Sequence, residues 1–148
     1  MSTSTSTLAT AATPEQLVAH FAARLLAETD ASDVYAAMKA GEDFVLVDVR
    51  GDDAWEQGHA ADAIHMHHSE IATRALDEIP AGTPVVVYCW SPGCNGAQKG
   101  ALEFAKLGYG VREMIGGYEY WAREGYPVLN ADGRVRFPKD PTVGVVQS

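Results

Sequence analysis

The sequence predicts an α/β fold in which a parallel sheet carries helices on both faces. Two runs, Phe44–Val49 and Val85–Tyr88, are apolar almost without a break and have strand length. Continuous apolarity of this kind marks strands covered on both sides. Helical patterns separate such runs, and alternation at these lengths implies parallel pairing. The 148 residues suit one domain with short extensions.

Residues 1–13 hold no charge and are mostly Ser, Thr and Ala. They lack the basic start and apolar stretch of a secretory signal, and the first basic side chain is Arg24. This segment reads as a flexible tail, and a cytoplasmic location is expected. Thr13-Pro14-Glu15-Gln16 then starts a helix: Thr13 caps, Pro14 suits the first turn, and Gln16 completes a capping box. Leu17, Phe21 and Leu25 repeat along about 14–29, giving an amphipathic helix that packs on the domain or on a second copy of the chain, a homodimer contact. The segment 14–30 precedes a domain over 31–130.

Ser32 opens a shorter helix, with Val34, Ala37 and Met38 inward, that Gly41 ends. The Phe44–Val49 strand follows, then a helical turn from Asp52 and Asp53 to about Gly58. Ala63–Met66 is a short strand and Glu70–Asp77 a helix. The turn Pro80–Pro84 feeds the second strong strand, Val85–Tyr88. Beyond the next loop, Ala97, Ala101, Leu102, Ala105 and Leu107 keep helical spacing until Gly108. Val111–Ile115 is a third strand, and Gly116-Gly117 opens a helix carrying Trp121 as a core residue. In the extension 131–148, Ala131-Asp132-Gly133 is a turn joining two short edge strands, after which the chain is expected to fray.

A net charge of −9 argues against nucleic-acid partners, which need a basic footprint. It would also repel anionic substrates unless a local site overrides it. No run approaches the roughly 20 apolar residues that span a bilayer. Two cysteines, Cys89 and Cys94, are too few for a disulfide scaffold and point to thiol chemistry.

Ligands of open α/β sheets gather at the carboxyl ends of the strands, and Cys89 sits at such an end. The loop Trp90-Ser91-Pro92-Gly93-Cys94-Asn95-Gly96 leads directly into a helix. Gly93 and Gly96 permit tight turns, so successive N–H groups can face inward as an anion nest. The helix, with Asn95 as its cap, adds the positive end of its dipole. Together these lower a thiol pKa from about 8.5 towards roughly 3.5–7.5. Cys89 is favoured as nucleophile by its place at the strand end. Cys94, nearer the helix, is the second candidate or a resolving thiol, since a suitable bend brings the two within disulfide reach.

From about Ser32 to Val128 the chain resembles a rhodanese domain. Asp48-Val49-Arg50 is similar to the first signature of that family, followed by Glu56, Gly58-His59 and Ala63-Ile64-His65-Met66. Val85-Val86-Val87-Tyr88-Cys89 resembles the active-site strand, and Gly116-Gly117, Trp121 and Gly125-Tyr126-Pro127-Val128 the closing signature. The resemblance implies a three-layer fold around a parallel sheet of about five strands, here with an extra N-terminal helix. It implies a sulfurtransferase that works through a cysteine persulfide. The substrates would be a small donor such as thiosulfate or a persulfide, and a thiol, cyanide-like or protein acceptor. No metal or organic cofactor is implied.

The loop departs from the pattern. A typical rhodanese loop of six residues ends in Arg; here Cys94 stands in that place, and Cys89 to Gly108 is two residues longer than usual. An anionic donor would meet backbone dipoles and Lys99 without a guanidinium fork, which leaves room for persulfides or a protein. The Cys-x5-Arg signature of cysteine phosphatases also fails, because the sixth residue after Cys89 is Asn95 and after Cys94 is Gly100. Asp48 and Arg50 read as an ion pair fixing the strand end behind the loop, and Trp90 as a pocket wall or a packed aromatic. His65, His67 and His68 lack recognised zinc spacing with the cysteines and read as strand and rim residues. A non-catalytic binding module or a dithiol redox switch is the rival reading.

Overall fold

The computed structural model describes residues 6–146. In order these form α1 (Pro14–Ala27), β1 (Glu28–Asp30), α2 (Ala31–Lys39), β2 (Val45–Asp48), α3 (Asp52–Gln57), β3 (His59–Ala60) and β4 (Ile64–His65). After a 3-10 turn come α4 (Ile71–Glu78), β5 (Val85–Tyr88), α5 (Gly96–Lys106), β6 (Val111–Ile115), α6 (Gly117–Arg123), β7 (Val128–Asn130) and β8 (Gly133–Val135). The expected flexible tail begins in residues 1–5, which lie outside the described residues.

Five strands pair in parallel in the order β1-β6-β5-β2-β4, the sheet expected from the sequence. A smaller antiparallel sheet, β3-β7-β8, is not hydrogen-bonded into it as a strand but packs Ala60 and Val128 into the core beside Leu46 and Tyr88. Side chains of successive strand residues point to opposite faces, so the two faces of β2 and β5 fill two cores. Val47, Val49, Val85 and Val87 pack with Ile71 and Ala75 of α4 and with Ala97 and Phe104 of α5. On the other face Leu46 and Tyr88 meet Val34 of α2, Met114 of β6 and Trp121 of α6. Both faces are buried, and that is why these strands read as unbroken apolar runs. The Trp121 indole is fully buried, and its Nε1–H donates to the Pro127 carbonyl at 2.7 Å.

The capping box forms as expected: the Gln16 N–H donates to Thr13 Oγ1 at 3.2 Å, and the Thr13 N–H to Gln16 Oε1 at 2.9 Å. The helix stops two residues early because Glu28-Thr29-Asp30 leaves it to pair with β6. This polar edge strand has no hydrophobic signal, so the sequence gives no sign of it. Asp30 then caps α2, accepting the Asp33 N–H at 2.9 Å, which starts that helix before Ser32. Val18, Phe21, Leu25 and Leu26 of α1 remain exposed and only Leu17 is half-buried. The expected turn joins β7 to β8. Beyond it the chain does not fray at once: the Asp140 N–H donates to the Arg123 carbonyl at 2.8 Å, and Asp140 accepts the Thr142 N–H at 2.8 Å.

Candidate functional site

β5 is central in the sheet, between β6 and β2, so the loop after it opens beside the carboxyl ends of both neighbours. Cys89 follows β5 on the face covered by α5 and is 6% exposed. The structure joins Cys89 to Cys94 as a disulfide, with Cα atoms 6.3 Å apart, within the usual range for such a bond. The bend that allows this is encoded by Ser91-Pro92-Gly93-Cys94. Proline suits the second position of a β-turn, and the Cys94 N–H donates back to the Ser91 carbonyl at 3.0 Å.

That turn corrects part of the anion-nest expectation. The Cys94 N–H is committed to the loop, and neither Gly93 nor Gly96 uses a left-handed conformation. What Gly96 supplies is the absence of a side chain: a Cβ there would lie 2.7 Å from Cys89 Sγ. The Cys89 sulfur therefore rests directly on the first turn of α5, where the positive end of the helix dipole acts. Asn95 stands at the cap position but makes no side-chain capping bond.

Two further elements hold the loop. At the start of α6 the Tyr118 N–H donates to the Cys89 carbonyl at 2.9 Å and the Glu119 N–H to the Trp90 carbonyl at 2.8 Å. Behind the loop, Arg50 and Asp48 form a buried ion pair, with Nη2 to Oδ2 at 2.7 Å. Arg50 Nη2 also donates to the Gly58 carbonyl at 2.6 Å. The guanidinium lies 4.4 Å from the Trp90 ring centre and 4.7 Å from that of Tyr118, a cation–π arrangement. Arg50 Nη1 is buried beside these rings without a hydrogen-bond partner among the described residues. Burial first, and then the Asp48 carboxylate, hold the Tyr88 phenol well above its ordinary pKa, so it keeps its proton, and its oxygen accepts the Ala60 N–H at 3.0 Å.

A cavity of about 630 Å³ opens on the cysteine pair. Cys89, Ser91, Pro92 and Cys94 line it, whereas Trp90, Gly93, Asn95 and Gly96 do not. Trp90 turns the other way, onto Arg50. Lys99 is also absent from this wall: one helical turn further round α5, it faces a shallow pocket with His68, Ser69 and Glu103. Lys99 is therefore not placed beside Cys89 in this cavity. His65 and His67 are engaged locally, with Arg50 O at 2.7 Å and Ser69 Oγ at 2.7 Å respectively.

The rest of the wall was not foreseen. It includes Arg24 and Glu28 at the end of α1, Asp30, Gln98, Glu113 of β6, Glu124, and Thr142 and Val143 of the C-terminal extension. Glu113 is 8% exposed; its Oε1 accepts from Gln98 Nε2 at 3.1 Å and its Oε2 has no partner among the described residues. One signal was present in the sequence, an acidic residue at the inward-alternating position of Val111–Ile115. Its neighbours across the sheet could be known only once β1 was paired.

Burial pushes the Glu113 carboxyl pKa up; the nearby Glu28 charge adds to this and Arg24 opposes it. A carboxyl with a raised folded pKa holds its proton more tightly in the fold than in the unfolded chain, so stability falls as pH rises through that interval. Glu113→Gln removes the penalty. The variant is expected to be more stable than the natural protein by about 1 kcal/mol at pH 7. The difference should vanish below the unfolded carboxyl pKa of about 4.3, and urea denaturation at the two pH values measures it.

The fold and this loop define an α/β domain with a cysteine pair at the end of the central strand. The Rhodanese-like domain family matches residues 30–124, and the chain belongs to that family. It is 35% identical over 107 residues to a sulfurtransferase of Allochromatium vinosum, covering 72% of this chain and 97% of that protein. A thiosulfate sulfurtransferase of Pseudomonas syringae is 34% identical over 90 residues, 60% of this chain and 81% of the other. A crystal structure of a Bacillus halodurans protein superposes with a TM-score of 0.74 at 36% identity, covering 82% and 89% of the two chains.

Proposed function

We propose that the protein is a sulfurtransferase in which Cys89 carries sulfane sulfur as a persulfide. The Cys89 thiolate attacks the outer sulfur of a small donor, thiosulfate or a persulfide, and sulfite or a thiolate leaves with the bonding pair. A thiophilic acceptor then attacks the outer sulfur of the persulfide and restores the Cys89 thiolate. The observation that carries this reading is the Cys89 sulfur seated on the first turn of α5 and open to the cavity, a position that favours the thiolate. The sulfurtransferase names of two relatives agree with it. Arg50 and Asp48 serve as positioning residues, acting through Trp90. No metal or organic cofactor takes part, and the exposed apolar face of α1 is the proposed homodimer contact.

The disulfide favours a second role for the loop. With Cys94 as resolving thiol, its thiolate attacks the inner sulfur of the Cys89 persulfide, the Cys89–Cys94 bond forms, and hydrosulfide leaves. An external dithiol must then reduce the disulfide before the next cycle.

Intact-mass measurement after incubation of the reduced protein with thiosulfate or a persulfide donor tests both. Cys94→Ser is expected to gain one sulfur, Cys89→Ser none, and the natural protein to end two hydrogens lighter with hydrosulfide released. Sulfur that survives in Cys89→Ser and is lost in Cys94→Ser would reassign the nucleophile. No added sulfur or released hydrosulfide with any donor would leave a binding module.

A further inference from the structure

We infer that the cavity selects sulfur carriers bearing a positive charge, small aminothiols and their persulfides, over anionic donors such as thiosulfate. The proposal rests on the Cys89 persulfide reading and names the substrate class for it. Among the charged side chains lining the cavity, four are carboxylates (Glu28, Asp30, Glu113, Glu124) and one is a guanidinium, Arg24. Arg24 is itself paired with Glu28, Nε to Oε1 at 2.8 Å. The side-chain charge around the cavity therefore has the sign of the whole chain, and no cluster of cations among the described residues reverses it.

Strand register puts the Glu113 charge on the sheet face that carries Cys89. Glu113 is the β6 partner of Val87, two residues before Cys89, and Val87 and Cys89 share the face under α5. Glu28 is in turn the β1 partner of Glu113. Like charges directly opposite on neighbouring strands destabilise a sheet, and a buried carboxylate oxygen without a partner adds a desolvation penalty. Glu113 Oε2 is such an atom, in a side chain that lines the cavity. A ligand ammonium supplies both the missing donor and the opposing charge. The cavity, walled by α1 and the C-terminal extension, has the volume range of small-molecule sites.

The field can be read without turnover. In a Cys94→Ser background, Cys89 reacts with 2-aminoethyl or 2-sulfonatoethyl methanethiosulfonate. The thiolate forms a mixed disulfide and methanesulfinate leaves. The ratio of the cationic to the anionic rate is divided by the same ratio for 2-mercaptoethanol in solution. We expect a normalised ratio above about 10, falling roughly fivefold in Glu113→Gln and further with Glu124→Gln added, by Coulomb interaction across partly hydrated space. Added salt should shrink the ratio. A normalised ratio near one, or one unmoved by Glu113→Gln, overturns the proposal; should Glu113→Gln fail to fold, Glu124→Gln alone decides. The second arm compares sulfur loading of Cys89 from cysteamine persulfide and from thiosulfate. Faster loading from the aminothiol supports the proposal, and faster loading from thiosulfate overturns it. A high charge ratio with no loading from either donor would sink the persulfide reading while leaving the cation selectivity of the cavity standing.

Discussion

Asp48→Ala is expected to lower the stability of the fold by about 3–5 kcal/mol, the range for removing one partner of a buried ion pair. The size follows from what Asp48 does for Arg50. Its carboxylate accepts the Arg50 backbone N–H at 2.9 Å, Nε at 3.0 and 3.1 Å, and Nη2 at 2.7 Å. Arg50 is 3% exposed, so its charge cannot recover solvation when the carboxylate is gone. Of its remaining contacts, Gly58 O is one acceptor and the aromatic faces of Trp90 and Tyr118 are weaker partners. Replacing both residues together, Asp48→Leu with Arg50→Met, should cost markedly less than either single change, because no charge is left unpaired. Urea unfolding of Asp48→Ala, of each single change and of the double variant measures this. A loss under about 1 kcal/mol in Asp48→Ala would mean that the pair is solvated in practice.

The same pair shows what could be read from the sequence. Asp48 and Arg50 flank Val49 at the end of an apolar run, and two residues on one side of an extended strand end are natural ion-pair partners. That the guanidinium lies against Trp90 depends on where β5 sits beside β2, and no local pattern encodes that. The main strands were legible for a related reason: a parallel sheet buries both faces, so Phe44–Val49 and Val85–Tyr88 stand out by apolarity, and Val85–Tyr88 matches the observed bounds. Glu28–Asp30 and His59–Ala60 are strands only because a neighbour offers them an edge. The site divides in the same way. The cysteine loop is contiguous in sequence and was identified there, whereas the carboxylate wall is assembled from α1, β1, β6 and the region beyond α6. Lys99 lies away from the cysteine cavity because helical phase, rather than distance along the chain, decides which way α5 presents it.

Gly117→Ala is the other change expected to have a large effect, and it joins stability to chemistry. Gly117 has φ +63°, a left-handed conformation that alanine adopts at a cost of about 1–2 kcal/mol. A Cβ there would also fall 2.6 Å from the Cys89 carbonyl oxygen, 2.8 Å from the Trp90 carbonyl carbon and 2.9 Å from the Ser91 nitrogen. All three are backbone atoms of the loop, so none can step aside by a rotamer change. Either α6 moves off the loop, lengthening the Tyr118 and Glu119 N–H bonds to Cys89 and Trp90, or the loop shifts and takes Cys89 with it. Gly133→Ala isolates the conformational part, because Gly133 has φ +91° and open space at the Cβ position. We expect Gly133→Ala to lose about 1 kcal/mol with Cys89 reactivity unchanged. Gly117→Ala should lose about 3 kcal/mol or more and, under conditions where it remains folded, react at Cys89 at least tenfold more slowly with a neutral thiosulfonate. Equal losses in the two variants would show that the contact between α6 and the loop yields freely. In that case the position of Cys89 is set by β5 and α5 alone.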